Sequence, residues 1–340
     1  MDSFIFLQKN FLFLDKDDSW ETKKNDELSI AIDIKYGRFG NNYITLKKIL
    51  IIALYFKDKV QKIFLSIATA NMYKFHAQYI KDDKYSYITM INGIDDIKNK
   101  KNIISPINGD ETIFFSDVSE FLGDNNINEI NAKNIIRRSL KCNTQIEIDP
   151  DILFIHVRGG DIFRDGGTSV VHCKYRQPPL IWYLECILAH KQRYKNCIVM
   201  IISEDRKNPC VAAIIQWCAH SNIKCIANIN SLEKDYSLLM NAQSLVISKS
   251  SFLIPCLDLN KKLKFVYKFN FDWCKQGTYI NSDEWLSTPG QIDKMINISL
   301  DELTLPDNLY ETAQDTASII VDWHNKNRYI MPLDFDHISF

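Results

Sequence analysis

From about residue 151 the sequence alternates short β-forming runs with amphipathic helical stretches, and no other feature limits the fold as strongly. The runs 152-ILFIHV-157, 197-CIVMIIS-203, 222-NIKCIA-227, 244-SLVIS-248 and 263-LKFVYKF-269 read as strands. Between the first two lies 178-PPLIWYLECILAHKQ-192, where Leu180, Tyr183, Leu184, Ile187 and Leu188 recur at helical spacing behind prolines suited to a first turn. Asn208 as N-cap and Pro209 at the first position open the next helix, with Val211, Ile214, Ile215 and Cys218 as its inner stripe. A third helix is expected over 233-EKDYSLLMNAQ-243. This spacing predicts βαβ units and hence an α/β fold with a parallel sheet covered on both faces. Ligands of such sheets bind at the carboxyl ends of the strands, so the strand ends are where function is sought.

The N-terminal half repeats the pattern less cleanly. The run 29-SIAIDI-34 is a strand, 37-GRFGNN-42 a glycine-bearing turn, 43-YITLKKILIIALYF-56 a mostly buried helix and 62-KIFLS-66 a second strand. Residues 91–145, rich in Asn, Lys and Asp, are expected to form helices and loops, with Ile135 to Leu140 on the last helix. At 340 residues the chain is comfortable for two domains. The segment 141-KCNTQIEIDP-150 is the expected boundary, giving an N-terminal Rossmann-like domain over 1–148 and a second over 149–306. The helical pattern 307–327 follows the second and is expected to return to the first.

Lys and Arg number 41 against 42 Asp and Glu, a net charge of -1, so no global field draws the chain to nucleic acid or an anionic membrane. An anionic ligand must be captured locally. The nine cysteines are scattered without a Cys-x-x-Cys pair, which argues against a zinc site or disulfide framework and for a reducing compartment. The opening MDSFIFLQKN has no basic n-region, and the longest apolar run, 49-ILIIALYF-56, is too short to span a bilayer. A cytoplasmic protein without an integral membrane segment is expected.

Several strand ends are polar. In 156-HVRGGD-161 the Arg158 guanidinium offers a planar fork of donors suited to phosphate oxygens, and two glycines let main-chain N–H groups approach an anion. An Arg158–Asp161 ion pair closing a βα turn is the structural alternative. The turn Arg38, Phe39, Gly40, Asn41 runs into a helix N-terminus, where free N–H groups favour phosphate. The second strand ends in Glu204 and Asp205, carboxylates suited to ribose hydroxyls or the N–H edge of a guanine. The fourth ends in Lys249, Ser250, Ser251 and Phe252, whose hydroxyls suit phosphate or cap the following helix.

Together GRFGN at 37–41 and HVRGGD at 156–161 resemble the fucosyltransferase superfamily of α1,2-, α1,6- and protein O-fucosyltransferases, the second fitting its His-x-Arg-x-x-Asp element. The stretch 235-DYSLLMNAQSLVISKSSF-252 is similar to a third element of that family, an Asp-led helix, a strand and Ser-Ser. The resemblance implies a GT-B glycosyltransferase of two Rossmann-like domains facing a central cleft that holds a GDP-sugar. It implies that Arg158 binds the diphosphate with His156 beside it, that Ser250 and Ser251 bond phosphate oxygens, and that Asp235 faces the guanine. Arg38, Phe39, Gly40 and Asn41 would close on the donor from the other domain. It also implies metal-independent, inverting chemistry, with GDP-fucose as donor and a glycan hydroxyl as acceptor.

Without a metal, negative charge developing on the departing diphosphate must meet fixed positive charge, for which Arg158 is the natural source. Inverting transfer also needs a base for the acceptor proton. The α1,6 branch uses a Glu after the His-x-Arg element; the neighbouring position here is Gly166, and Asp165 directly before it is the expected base. Asp161 is the alternative base or the orienter of the loop. Gly159-Gly160 stands where some branches have a second Arg, so the donor contact differs and another GDP- or UDP-linked sugar stays open.

A metal-dependent transferase of the other common fold needs Asp-x-Asp after a strand; Asp149-Pro150-Asp151 precedes one, and Asp334-Phe335-Asp336 sits among the last residues. A non-catalytic nucleotide-sugar or glycan binding protein on the same scaffold is the other alternative. His76, His172, His190, His220, His324 and His337 show no metal-ligand spacing.

Overall fold

The apolar run before the HVRGGD turn becomes strand β6 (Ile152–His156), in which Leu153, Phe154 and Ile155 are all fully buried, so both sides of the pleat are covered. A computed structural model describes residues 7, 11–15, 18–23, 26–34, 39–56, 58–73, 87–92, 94–97, 100–106, 126–142, 145–159, 163–164, 169–170, 180–206, 208–227, 229–248, 250–268 and 294–297. The chain divides into two compact units, 1–141 and 142–340. Both are built on sheets dominated by parallel strands, so the protein is α/β.

The first unit contains β1 (Phe11–Phe13), β2 (Leu28–Ile34), helix α1 (Phe39–Tyr55), β3 (Val60–Ile67), β4 (Tyr87–Met90), β5 (Ile103–Pro106) and α2 (Asn126–Ser139). Its five-stranded sheet has the order β1-β5-β2-β3-β4. Strands β2 to β5 are parallel, and β1 closes one edge antiparallel to β5. The helix expected from residue 43 starts at Phe39, because the first turn already buries Phe39, Gly40 and Asn42. Strand β5 arises within 91–145, where helices and loops were expected, and β4 lies just before that stretch.

In the second unit β6 is followed by the two-residue strands β7 (Phe163–Arg164) and β8 (Ser169–Val170), which pair antiparallel. Then come α3 (Leu180–Arg193), β9 (Ile198–Ile202), α4 (Pro209–His220), β10 (Lys224–Ala227), α5 (Leu232–Leu239), β11 (Ser244–Ile247), α6 (Ile254–Leu259), β12 (Phe265–Lys268) and β13 (Lys294–Asn297). The six-stranded sheet has the order β10-β9-β6-β11-β12-β13, with every neighbouring pair parallel. In chain order this is 3-2-1-4-5-6, the doubly wound arrangement whose direction reverses between its first and fourth strands, here β6 and β11.

Helices α3 and α4 cover one face. Trp182, Tyr183, Leu184 and Ile187 of α3 and Val211, Ile214 and Cys218 of α4 pack with Leu153, Ile155, Val199 and Ile201 in one core. Each fully buried large side chain there contributes about 1.5–3 kcal/mol relative to exposure. Asn208 caps α4 by accepting the N–H of Cys210 at 2.9 Å, with Pro209 in the first turn, as the sequence predicts.

The division between units falls before the expected break after residue 148. Lys262 Nζ donates to the carbonyl of Ile146 at 2.8 Å and Gln243 Nε2 to that of Ile148 at 3.1 Å, fastening 145–148 to the second unit. Lys141 N instead bonds Met72 O at 3.0 Å, within the first. The expected helix 307–327 lies outside the described residues. Among the described residues no helix is long and apolar enough to cross a membrane.

Candidate functional site

Parallel pairing gathers the carboxyl ends of the second sheet at one edge. His156 is in register with Ile202, the last residue of β9, and Ile247 ends β11 on the other side. Val157, Arg158 and Gly159 therefore leave the sheet at the switch point, where adjacent crossovers go opposite ways and a crevice is left.

Three sequence-distant segments meet there. His156 is 5 % exposed, and its Nδ1 lies 2.6 Å from Ser248 Oγ, the residue after β11. Its ring stacks on Phe252 with centroids 5.0 Å apart and planes 17° apart. Burial, reinforced by the nearby Arg158 charge, pushes the His156 pKa down to about 3. The imidazole is therefore neutral across the physiological range, able to hold a hydroxyl and unable to serve as a cation.

Arg158 is half-buried, two residues beyond β6. The last ladder bond before it joins Val157 N to Ile202 O at 3.0 Å, and its own carbonyl accepts from Asn208 Nδ2 at 2.8 Å. Gly159 is buried, and a Cβ on it would sit 2.6 Å from Asp205 Oδ1 and 3.2 Å from Ser203 Oγ. Only a residue without a side chain lets the Asp205 carboxylate lie so close to this turn. Asp205 is half-buried, whereas Glu204 is exposed. The buried Ser203 hydroxyl has no hydrogen-bond partner among the described residues.

After β11 the chain turns through Ser250, whose Oγ accepts the N–H of Phe252 at 3.3 Å, so this serine caps the 3-10 turn Ser251–Leu253. Ser250, Ser251 and Phe252 all remain half-exposed. Tyr236, fully buried on α5, holds the turn by donating its hydroxyl to Phe252 O. Asp235 in the first turn of α5 is buried and accepts from Asn230 Nδ2 at 2.9 Å; burial raises its pKa against the pull of that bond.

The structure thus unites His156, Arg158, Asp205, Ser250 and Phe252 around the end of β6 and gives Asp235 a local partner in its own loop. Arg38, Asp161 and Asp165 lie outside the described residues. Phe39 and Gly40 are buried in the first unit, Phe39 with its ring 5.6 Å from that of Tyr73, while Asn41 is half-exposed. The Asp149-Pro150-Asp151 carboxylates sit before β6, at the opposite edge, where Asp149 Oδ1 accepts Asp151 N at 2.9 Å. Sequence reasoning missed Ser248, the second bond of Asn208 and the Tyr236 tie. The signal for Ser248 was present: a hydroxyl ending an apolar strand beside a strand that ends in histidine.

No family model, curated protein or solved structure matches the chain.

Proposed function

We propose that the protein is a glycosyltransferase that takes its sugar from a nucleoside-diphosphate sugar, GDP-fucose before others, and passes it to a glycan hydroxyl with inversion. In this reading its two units are the two halves of a GT-B enzyme of the fucosyltransferase type, and Arg158 grips the diphosphate. One observation supports it most. The ends of β6 and β11, far apart in sequence, are joined at the switch point of a doubly wound sheet by the His156–Ser248 bond of 2.6 Å.

The chemistry follows from the groups present. The acceptor oxygen attacks the anomeric carbon while the bond to the β-phosphate oxygen breaks and its electron pair leaves with the nucleotide. Arg158, held at its main chain and half-buried, meets that charge without reorganisation. The hydroxyls of Ser250 and Ser251 lie along the same edge. Neutral His156 orients Ser248 and backs the Phe252 ring. Asp165 takes the acceptor proton.

A thermal-shift panel of GDP, UDP, CMP and their sugars tests the donor class. Stabilisation by GDP and GDP-fucose is expected, at roughly 2.7 kcal/mol when ligand exceeds its Kd a hundredfold. A response to UDP or CMP without one to GDP overturns the donor assignment.

A further inference from the structure

Asn208 is fully buried and uses both halves of its amide. Its Oδ1 accepts the N–H of Cys210 at 2.9 Å, the capping bond of α4. Serine, threonine or aspartate caps a helix about as well, so capping alone does not call for an amide. The difference is the Nδ2 group, which donates to the carbonyl of Arg158 at 2.8 Å. Neither serine nor aspartate has an N–H to give.

That carbonyl lies where the sheet no longer fixes the chain. The last ladder bond before Arg158 joins Val157 N to Ile202 O, and just beyond Arg158 Gly159 packs against Asp205 and Ser203. Between the two, the Asn208 bond sets the plane of the Arg158–Gly159 peptide. A trans peptide is planar, so fixing its carbonyl also fixes the direction of the following N–H and limits how the Arg158 side chain leaves the backbone. Asn208 is fully buried, so its amide donor is shielded from bulk water.

We propose that Asn208 is the positioning residue of the anion grip, tying the start of α4 to the main chain of Arg158 so that the guanidinium is presented to a diphosphate in one orientation. The proposal rests on the reading of Arg158 as the diphosphate contact. It assigns Asn208 no contact with the ligand.

The test is a double-mutant cycle on the full chain with GDP as probe, read as Kd by calorimetry and accompanied by Tm. Asn208→Ser keeps a capping oxygen but removes the amide N–H that reaches the Arg158 carbonyl, its own shorter side chain carrying only a hydroxyl. If it acts through Arg158, it weakens GDP binding about tenfold in the wild-type background, the scale of one net hydrogen bond. In an Arg158→Ala background it changes binding less than about twofold, because the group it positions is gone. An equal loss in both backgrounds, or no loss in the first, overturns the positioning role. If wild-type protein binds no GDP while Asn208→Ser folds normally, the reading of Arg158 itself has failed. Should Asn208→Ser not fold, Asn208→Asp runs the same cycle, since a carboxylate caps α4 and cannot donate.

Discussion

Tyr236 donates its hydroxyl to the main-chain carbonyl of Phe252, and the two rings lie 4.9 Å apart. A residue on α5 thereby fixes the Ser-Ser-Phe turn that follows β11. Tyr236→Phe keeps the ring and removes the donor, so about 1 kcal/mol of stability is expected to be lost, measured by urea unfolding. GDP affinity should fall with it, since the turn would no longer be held against His156.

Arg158→Ala is the direct test of the grip. A loss of roughly 100 to 1,000-fold in kcat is expected by analogy with removing one preorganised donor from an oxyanion site. Arg158 contributes no side chain to the core cluster, so Tm should change by no more than a few degrees. Retention of transfer activity in a correctly folded Arg158→Ala protein would falsify the proposed function.

Gly159→Ala puts a methyl group 2.6 Å from Asp205 Oδ1. The obstructing atom ends a short side chain that can turn away, so stability should drop by only about 1 kcal/mol. Donor binding should suffer more, because the displaced carboxylate no longer sits over the turn. Pairing the change with Asp205→Ala gives the check: the double variant should bind GDP no worse than Asp205→Ala alone.

Acid should destabilise the fold through two histidines. Burial holds the pKa of His156 down to about 3 and that of His190 to about 4, against 6.5 for the free side chain. Between those values the unfolded chain binds protons that the folded chain does not, so stability rises with pH across this window and is lost on acidification. Each buried neutral histidine should cost ~1.4 kcal/mol per pH unit below 6.5. Proton uptake on unfolding, followed by calorimetry at pH 5 to 6, should shrink when His190 is replaced by Gln.

Cys225 should be the most reactive of the thiols for which a shift is assigned. The neighbouring Cys218 on α4 and Cys225 on β10 interact through their thiols, which lowers the pKa of Cys225 and raises that of Cys218. Cys186, Cys210 and Cys256 are fully buried, and burial pushes their thiols up. Iodoacetamide at neutral pH should label Cys225 first, and Cys218→Ala should slow that labelling, as peptide mass mapping would register.

Most of the second unit was legible because apolar runs alternate there with helical stretches of regular period. Strand β9 was expected over 197–203 and found over 198–202, and the third helix, expected over 233–243, runs from Leu232 to Leu239. The Asn208-Pro209 start was readable because capping is a local bond. The four-residue strands β10, β11 and β12 sit inside longer apolar runs spaced by helical stretches, whereas β1, β4, β5 and β13 lack that flanking rhythm and were not read. At the site, the residue types at strand ends were visible in the sequence. Their partnerships were not: which serine meets His156 depends on strand order, and strand order is a property of the whole sheet.

Placing β6 at the centre of its sheet has a consequence for how the molecule comes into being. Its β9 neighbour follows within one crossover, but Ser248 lies 92 residues beyond His156. During synthesis the β6-β9-β10 half can pair while one flank of β6 still awaits β11. Long-range pairing of this kind is slow, because a large loop must close before any contact rewards it. The end of β6 is therefore among the last parts of the unit to be completed, and a nascent chain stopped at β10 has His156 without the hydroxyl and the ring that pack against it.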